Sequence, residues 1–243
     1  MLLEVVLLTA CALGCADVAR AGALAVDTVE TSGGPLRIVC IGHASLRFEY
    51  RASVLYVDPY GKVGEYASMP PAGLVLLTHE HADHLDPEAL AKVAGSQTPI
   101  VETAACLERL GRGTVLAAGQ SVSLLGITIE AVPAYNILHK RDSGEPYHAK
   151  GRGNGYVLTF GATRVYVAGD TENIPEMADL KNIDIAFLPM NLPFTMTPEM
   201  VADAARMFRP KILYPYHYGD TDPKRLAALL AGEGIEVRVR DMR

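Results

Sequence analysis

The strongest constraint on this chain is the run Thr78-His79-Glu80-His81-Ala82-Asp83-His84, which comes directly after the apolar stretch Leu74-Val75-Leu76-Leu77. That stretch is continuously apolar rather than alternating, as expected for a strand covered on both faces. It delivers three imidazoles and a carboxylate, all within six positions, to the end of a buried strand. A strand end followed by a tight turn aims such side chains into one concavity. Clustering so many titratable groups without a cation is costly, and imidazole and carboxylate are the ligands that zinc and related divalent ions prefer. The chain therefore has to fold so that a core strand ends at a metal site.

Short β-rich runs precede it, at Leu36 to Ile41, Ser45 to Tyr50 and Ser53 to Val57. They read as a meander opening the domain. After the motif, Asp86-Pro87-Glu88 combines an N-cap, a proline at the first helical position and an early acid, which predicts a helix to about Gly95. A strand near Ile100, a helix from Thr103 to Leu110 and strands at Ser121 to Leu125 and Ile127 to Val132 come next. Residues Tyr135 to Gly155 lack periodicity and read as a long loop, and loops of that length usually have a function. Strands at Tyr156 to Phe160, Arg164 to Ala168, Ile183 to Leu188, Ile212 to Tyr214 and Glu236 to Val239 complete the pattern, with helices from Thr197 to Phe208 and Asp222 to Leu230. Strands and helices alternate in two comparable halves, an α/β (α+β) pattern, without an identity repeat.

The first fifteen residues are apolar but too short and too early for a spanning helix. Residues 1–25 read as a signal peptide or lipoprotein leader ahead of a domain at 34–243. Ala19-Arg20-Ala21 offers a cleavage site, and Cys11 and Cys15 each end a lipobox-like sequence that would carry a lipid anchor. The location implied is exported, either periplasmic or membrane-anchored, and cytoplasmic if the segment is not a leader. Cys40 and Cys106 stand in no ligand spacing and read as core residues, although export would permit a disulfide. A formal charge of −6 without a large Lys/Arg cluster argues against nucleic acid and for a small-molecule substrate.

Other motifs stand in order around the histidine run: Ile41-Gly42-His43-Ala44-Ser45, Tyr56-Val57-Asp58-Pro59, Ala168-Gly169-Asp170-Thr171 and Pro215-Tyr216-His217-Tyr218-Gly219. With the H-x-H-x-D-H spacing they resemble the metallo-β-lactamase superfamily over about residues 36 to 219, and most of all its ascorbate-6-phosphate lactonase-like branch. The resemblance implies a four-layer αββα sandwich and a binuclear metal centre. It also implies that His79 and His81 hold one ion and Asp83 and His84 the other, with Asp170 bridging and His217 completing the second site. Two divalent ions sharing a hydroxide nucleophile would make the protein a hydrolase, with zinc, manganese or iron all compatible with the ligands. Asp83 is the candidate for orienting or deprotonating the water. Asp58 is read as a carboxylate that orients a ligand from behind or as a plain turn residue, and His43 as lining the pocket or bonding within its turn.

One departure stands out. The family often places a histidine just after the strand ending Ala131-Val132-Pro133-Ala134, and here Tyr135-Asn136 occupies that place. His148, in the long loop, is the first candidate to restore the missing ligand and His139 the second, with Asn136 close by as a supporting or substrate contact. Arg141, Lys150 and Arg152 in the same loop are candidates to meet an anionic substrate, or are simply solvated. The bond cleaved is an ester, lactone, amide or phosphodiester. The competing reading is a degenerate metal-binding protein of the same fold. Flavodiiron-type chemistry would want a glutamate where His81 stands and an attached flavin domain.

Overall fold

Fourteen strands and four α-helices succeed one another in the computed structural model, which describes residues 24–243. The first seven strands form one sheet in chain order: β1 Ala25–Thr31, β2 Gly34–Gly42, β3 Ser45–Tyr50, β4 Ser53–Val57, β5 Leu74–Leu76, β6 Ile100–Glu102 and β7 Thr114–Val115. The last seven form a second sheet, also in chain order: β8 Ser121–Leu124, β9 Ile127–Ala134, β10 Gly153–Phe160, β11 Thr163–Val167, β12 Ile185–Pro189, β13 Ile212–Tyr216 and β14 Glu236–Val237. In each sheet the first four strands are antiparallel and the last four run parallel.

The connections match as well. A short 3₁₀ turn links β4 to β5, and another links β11 to β12. Helices α1 Pro87–Val93 and α2 Ala104–Leu110 bridge the parallel strands of the first sheet, as α3 Pro198–Phe208 and α4 Pro223–Leu229 do in the second. The two comparable halves legible in the sequence are thus one topology used twice.

The sheets pack face to face with the helices outside, the αββα sandwich. Alternation along β2 shows how: Leu36, Ile38 and Cys40 enter the core between the sheets, whereas Val39 and Ile41 enter a separate core beneath α1 and α2. Strand β5 does the same, with Leu74 and Leu76 on one side and Val75 and Leu77 on the other, which is why it is apolar throughout. Cys40 and Cys106 lie in these two different cores, and both are free thiols. Burial pushes each thiol up to about 12.

The helix starts sit on their capping residues. Asp86 accepts from the backbone of Glu88 and Ala89 at α1 and also from Gly61, tying the helix to the loop after β4. Thr103, Thr197 and Asp222 cap the other three.

Two strands escape the sequence pattern. Strand β1 pairs with β2 along its whole length ahead of the expected domain start at residue 34. Its Asp27 and Glu30 interrupt an apolar reading, and Asp27 is satisfied only by residues far along the chain, Arg240 at 2.7 Å and Tyr214 at 2.8 Å. Strand β7 is a two-residue edge that is exposed throughout. The cleavage site and the cysteines Cys11 and Cys15 lie outside the described residues. Among the described residues, no helix is long and apolar enough to cross a membrane.

Glu102, at the end of β6, is fully buried, and neither of its carboxyl oxygens has a hydrogen-bond partner. It packs against Gly113, where a Cβ would come within 2.1 Å of Oε1. Burial pushes its carboxyl up to about 7. The folded state therefore favours the protonated acid, and stability should fall as the pH rises from about 4, where the unfolded group titrates, through 7. Glu102→Gln mimics the protonated acid. It is expected to raise stability at pH 8 by on the order of 1–3 kcal/mol and to change little near pH 4, as measured by chemical denaturation at the two pH values.

Candidate metal centre

The parallel strands of both sheets end on the same edge of the sandwich, and the site is built from the residues just beyond those ends. The first sheet supplies His43 after β2, Asp58 after β4 and His79 to His84 after β5. The second supplies Asn136 and His148 after β9, Asp170 after β11, Asn191 after β12 and His217 after β13. His43, Asp58 and His217 adopt left-handed backbone angles, with φ of 51°, 44° and 47°. Non-glycine residues rarely do so, and such strain concentrates at functional sites.

The expected residues come together. His79 Nε2 and His81 Nδ1 approach to 3.1 Å, and His148 joins them, its ring centroid 5.0 Å from that of His79 and 4.9 Å from that of His81. These three form one ligand-competent group. His43, Asp83, His84 and His217 form a second, and Asp170 joins His79 and His84 in a third. Asp170 lies between the sets: its Oδ2 is 3.3 Å from His148 Nε2 and 3.4 Å from His217 Nε2, and its Oδ1 is 3.5 Å from His84 Nε2. Asp83 Oδ2 lies 3.0 Å from His43 Nε2 and 3.6 Å from His217 Nε2. His139 stands apart, with its Nδ1 2.8 Å from Glu172 Oε1.

Four atoms test whether these residues fit a cation. His84 Nε2, His148 Nε2, His217 Nε2 and Asp170 Oδ1 are buried and lack a hydrogen-bond partner. Polar atoms buried without a partner are costly and uncommon. Here all four converge on one volume, which a cation would satisfy, and a set of imidazoles and carboxylates suits a divalent transition metal. The electrostatics run the same way. Burial pushes the Asp170 carboxyl up, but the imidazoles of His217 and His84 outweigh it and hold it well below the usual carboxylate range. Burial lowers His84, yet Asp170 and Asp58 raise it well above its usual value. His79 is held well below its usual value by burial and by the neighbouring His84. One buried carboxylate among four imidazoles is a place for positive charge.

The residues behind this layer orient it. Asp58 accepts from the Thr78 backbone N–H at 2.8 Å and the Thr78 hydroxyl at 2.5 Å, and from His84 Nδ1–H at 2.8 Å. Thr78 Oγ1 is then free to accept from His79 Nδ1–H at 3.1 Å. A single buried carboxylate thereby turns the Nε2 lone pairs of two histidines toward the centre. Asn136 does the same for His148, its Oδ1 accepting from the ring Nδ1–H at 2.7 Å and from the backbone N–H at 2.9 Å. Asn136 is anchored in turn by Glu172, which accepts from its amide at 3.1 Å and from the backbone N–H groups of Ile137, Leu138 and His139 at 2.6 to 2.8 Å. Sequence reasoning missed Glu172 and Asn191, whose amide lies 3.3 Å from His217 Nδ1. The signal for Glu172 was an acid two residues beyond Asp170; Asn191 had only its place after a strand.

This centre, set in an αββα sandwich, defines a metal-dependent hydrolase of the metallo-β-lactamase class. The model of the β-lactamase superfamily domain matches residues 37–217. A UPF0173 metal-dependent hydrolase of Methanopyrus kandleri is 30% identical over 220 residues, covering 84% of this chain and 95% of that protein. A Thermus thermophilus relative of the same description is 30% identical, covering 83% and 90%. Among solved structures, a Parabacteroides distasonis protein assigned to the metal-dependent hydrolases is 49% identical, with a TM-score of 0.87 over 90% of this chain and 100% of that one. The metallo hydrolase Igni18 of Ignicoccus hospitalis, at 21% identity and a TM-score of 0.69 over 85% and 95% of the chains, shares the fold. The chain belongs to the UPF0173 metal-dependent hydrolases of the β-lactamase superfamily.

Because Asn136 fixes the His148 ring through its Nδ1, Asn136→Ala is expected to weaken divalent-metal binding about 10–100-fold, the usual effect of removing a group that orients a ligand. Competition against a chromophoric chelator measures it.

Proposed function

We propose that the protein hydrolyses an ester, lactone, amide or phosphodiester bond of a small molecule at a binuclear divalent-metal centre, most naturally zinc. In this reading His79, His81 and His148 would hold one ion and Asp83, His84 and His217 the other, with Asp170 available to both. The observation that carries it is the convergence of four partnerless buried atoms on one volume, with Asp170 between the two histidine sets. Bound there, such ions act as Lewis acids and lower the pKa of water.

The chain's own residues set the rest. Asp83 is open to the cleft, 37% exposed at the side chain, and its Oδ2 takes a hydrogen bond from His43. Burial pushes its carboxyl up, but the neighbouring imidazoles of His217 and His43 outweigh this and hold it below the carboxylate range. A carboxylate so held is a weak proton acceptor, which favours orienting water over deprotonating it. His43 then serves to hold Asp83.

The alternative, a degenerate metal-binding protein, drew its support from an incomplete first site, and the nearness of His148 to His79 and His81 removes that support. Metal analysis combined with a screen of phosphodiester, lactone and β-lactam substrates tests both readings. Wild type should hold about two equivalents of metal. His148→Ala should fall toward one and lose activity, while His139→Ala should change little. The reverse pattern would transfer the role to His139, and a protein that binds no metal would sink the binuclear reading.

A further inference from the structure

The long loop carries four cations, Lys140, Arg141, Lys150 and Arg152, and the structure separates the last three. Lys150 is paired with Glu176 at 2.7 Å, and Arg152 with Glu80 at 2.7 Å. Arg141 meets no carboxylate within ion-pair distance among the described residues. Its guanidinium lies over the Tyr147 ring at 5.0 Å, an arrangement that leaves edge N–H groups available to a ligand. A small hairpin holds it there: Lys140 bridges to Pro146, Arg141 N–H donates to Glu145 O at 2.8 Å, and Gly144 N–H donates to Arg141 O at 2.8 Å. Arg141 lines a cavity of about 460 Å³ whose walls include Asp83, Asp170, His148 and His217. Among the residues that line it, Arg141 is the one Lys or Arg.

Beside it lies an apolar wall. Phe194 meets Tyr147 edge to face at 5.0 Å and is 41% exposed. Its carbonyl accepts from the Asn136 amide at 2.9 Å, which ties this aromatic pair to the residue that holds His148. Leu138 and Leu192, on the same two loops, are also exposed. Tyr147 and Phe194 both line the cavity that Arg141 lines, and an aromatic pair on the wall of a polar cavity marks a place for an apolar group of a ligand.

We propose that the substrate is an anionic molecule with an aromatic or other apolar portion. Arg141 takes its oxyanion through a two-pronged bond, and Tyr147 and Phe194 hold its apolar part, so that the scissile bond lies over Asp83 and Asp170. This rests on the hydrolase reading above, and it makes Arg141 and Phe194 specificity-determining residues.

Binding to the full-length, metal-loaded protein is measured by calorimetry with phenylphosphonate, benzoate and methylphosphonate, none of which is turned over. Arg141→Ala should weaken phenylphosphonate or benzoate about tenfold or more, the loss of a charge-assisted pair, with metal content unchanged. Arg141→Lys should recover part of the affinity by keeping the charge without the fork. The arm that loses more identifies the oxyanion as phosphate-like or carboxylate. Phe194→Ala should abolish the preference for phenylphosphonate over methylphosphonate. Equal affinities in wild type and Arg141→Ala overturn the anion site, whatever the protein hydrolyses. Binding that depends on Arg141, in a protein that cleaves no ester, lactone, amide or phosphodiester, supports the anion site and sinks the hydrolase reading alone.

Discussion

The carboxylate of Asp170 is the group on which the two sheets close. It is almost fully buried, and a buried carboxylate is tolerated only when opposite charge or donors surround it. Its neighbours come from both halves of the sandwich: His79 and His84 from the first, His148 and His217 from the second. The two sheets must therefore meet at one edge with these four side chains turned inward. Once they do, imidazoles and carboxylates that could hold a metal ion stand together between them.

Holding that arrangement takes backbone conformations that side chains ordinarily avoid. The left-handed angles at His43, Asp58 and His217 cost roughly 1–3 kcal/mol each. Main-chain bonds enforce each of them. Asp58 N–H donates to Leu76 O, His217 N–H donates to His43 O, and His43 N–H donates to Arg243 O, the last residue of the chain. The strain is localised where strand ends turn sharply to aim a side chain into the cleft.

The repeated topology of the two halves gives this edge its character. In both, four antiparallel strands lead into parallel ones, so parallel strand ends gather on one side of each sheet. Asp58 and Asp170 stand just beyond equivalent strands, β4 and β11. The first has been turned to orienting His84 and, through Thr78, His79; the second faces the cleft itself. A carboxylate in the same topological place thus does two different jobs, set by whether backbone donors or imidazole lone-pair atoms surround it.

The residues between β9 and β10 show where local sequence stops being sufficient. The buried strand, its histidine run and the capped helices were legible because they depend on periodicity, capping chemistry and a dense motif, all of which act over a few neighbouring residues, whereas the αββα architecture came from the family resemblance of the motifs. Strand β1 was not, because its acidic residue Asp27 finds its partners, Arg240 and Tyr214, at the other end of the chain. Two loop histidines were open candidates for a place beside His79 and His81, and spacing did not separate them. The tertiary structure did, because Glu172 occupies the backbone amides of residues 137–139 and draws His139 aside, while Asn136 holds the ring of His148 over the centre. The same holds for the loop cations Arg141, Lys150 and Arg152: only the folded chain brings Glu176 and Glu80 to two of them and leaves Arg141 facing the cleft. Short-range pattern was enough to establish which residues gather at a strand end; which of the distant ones join them was decided by long-range hydrogen bonds and charge pairs that exist only once the two sheets have closed.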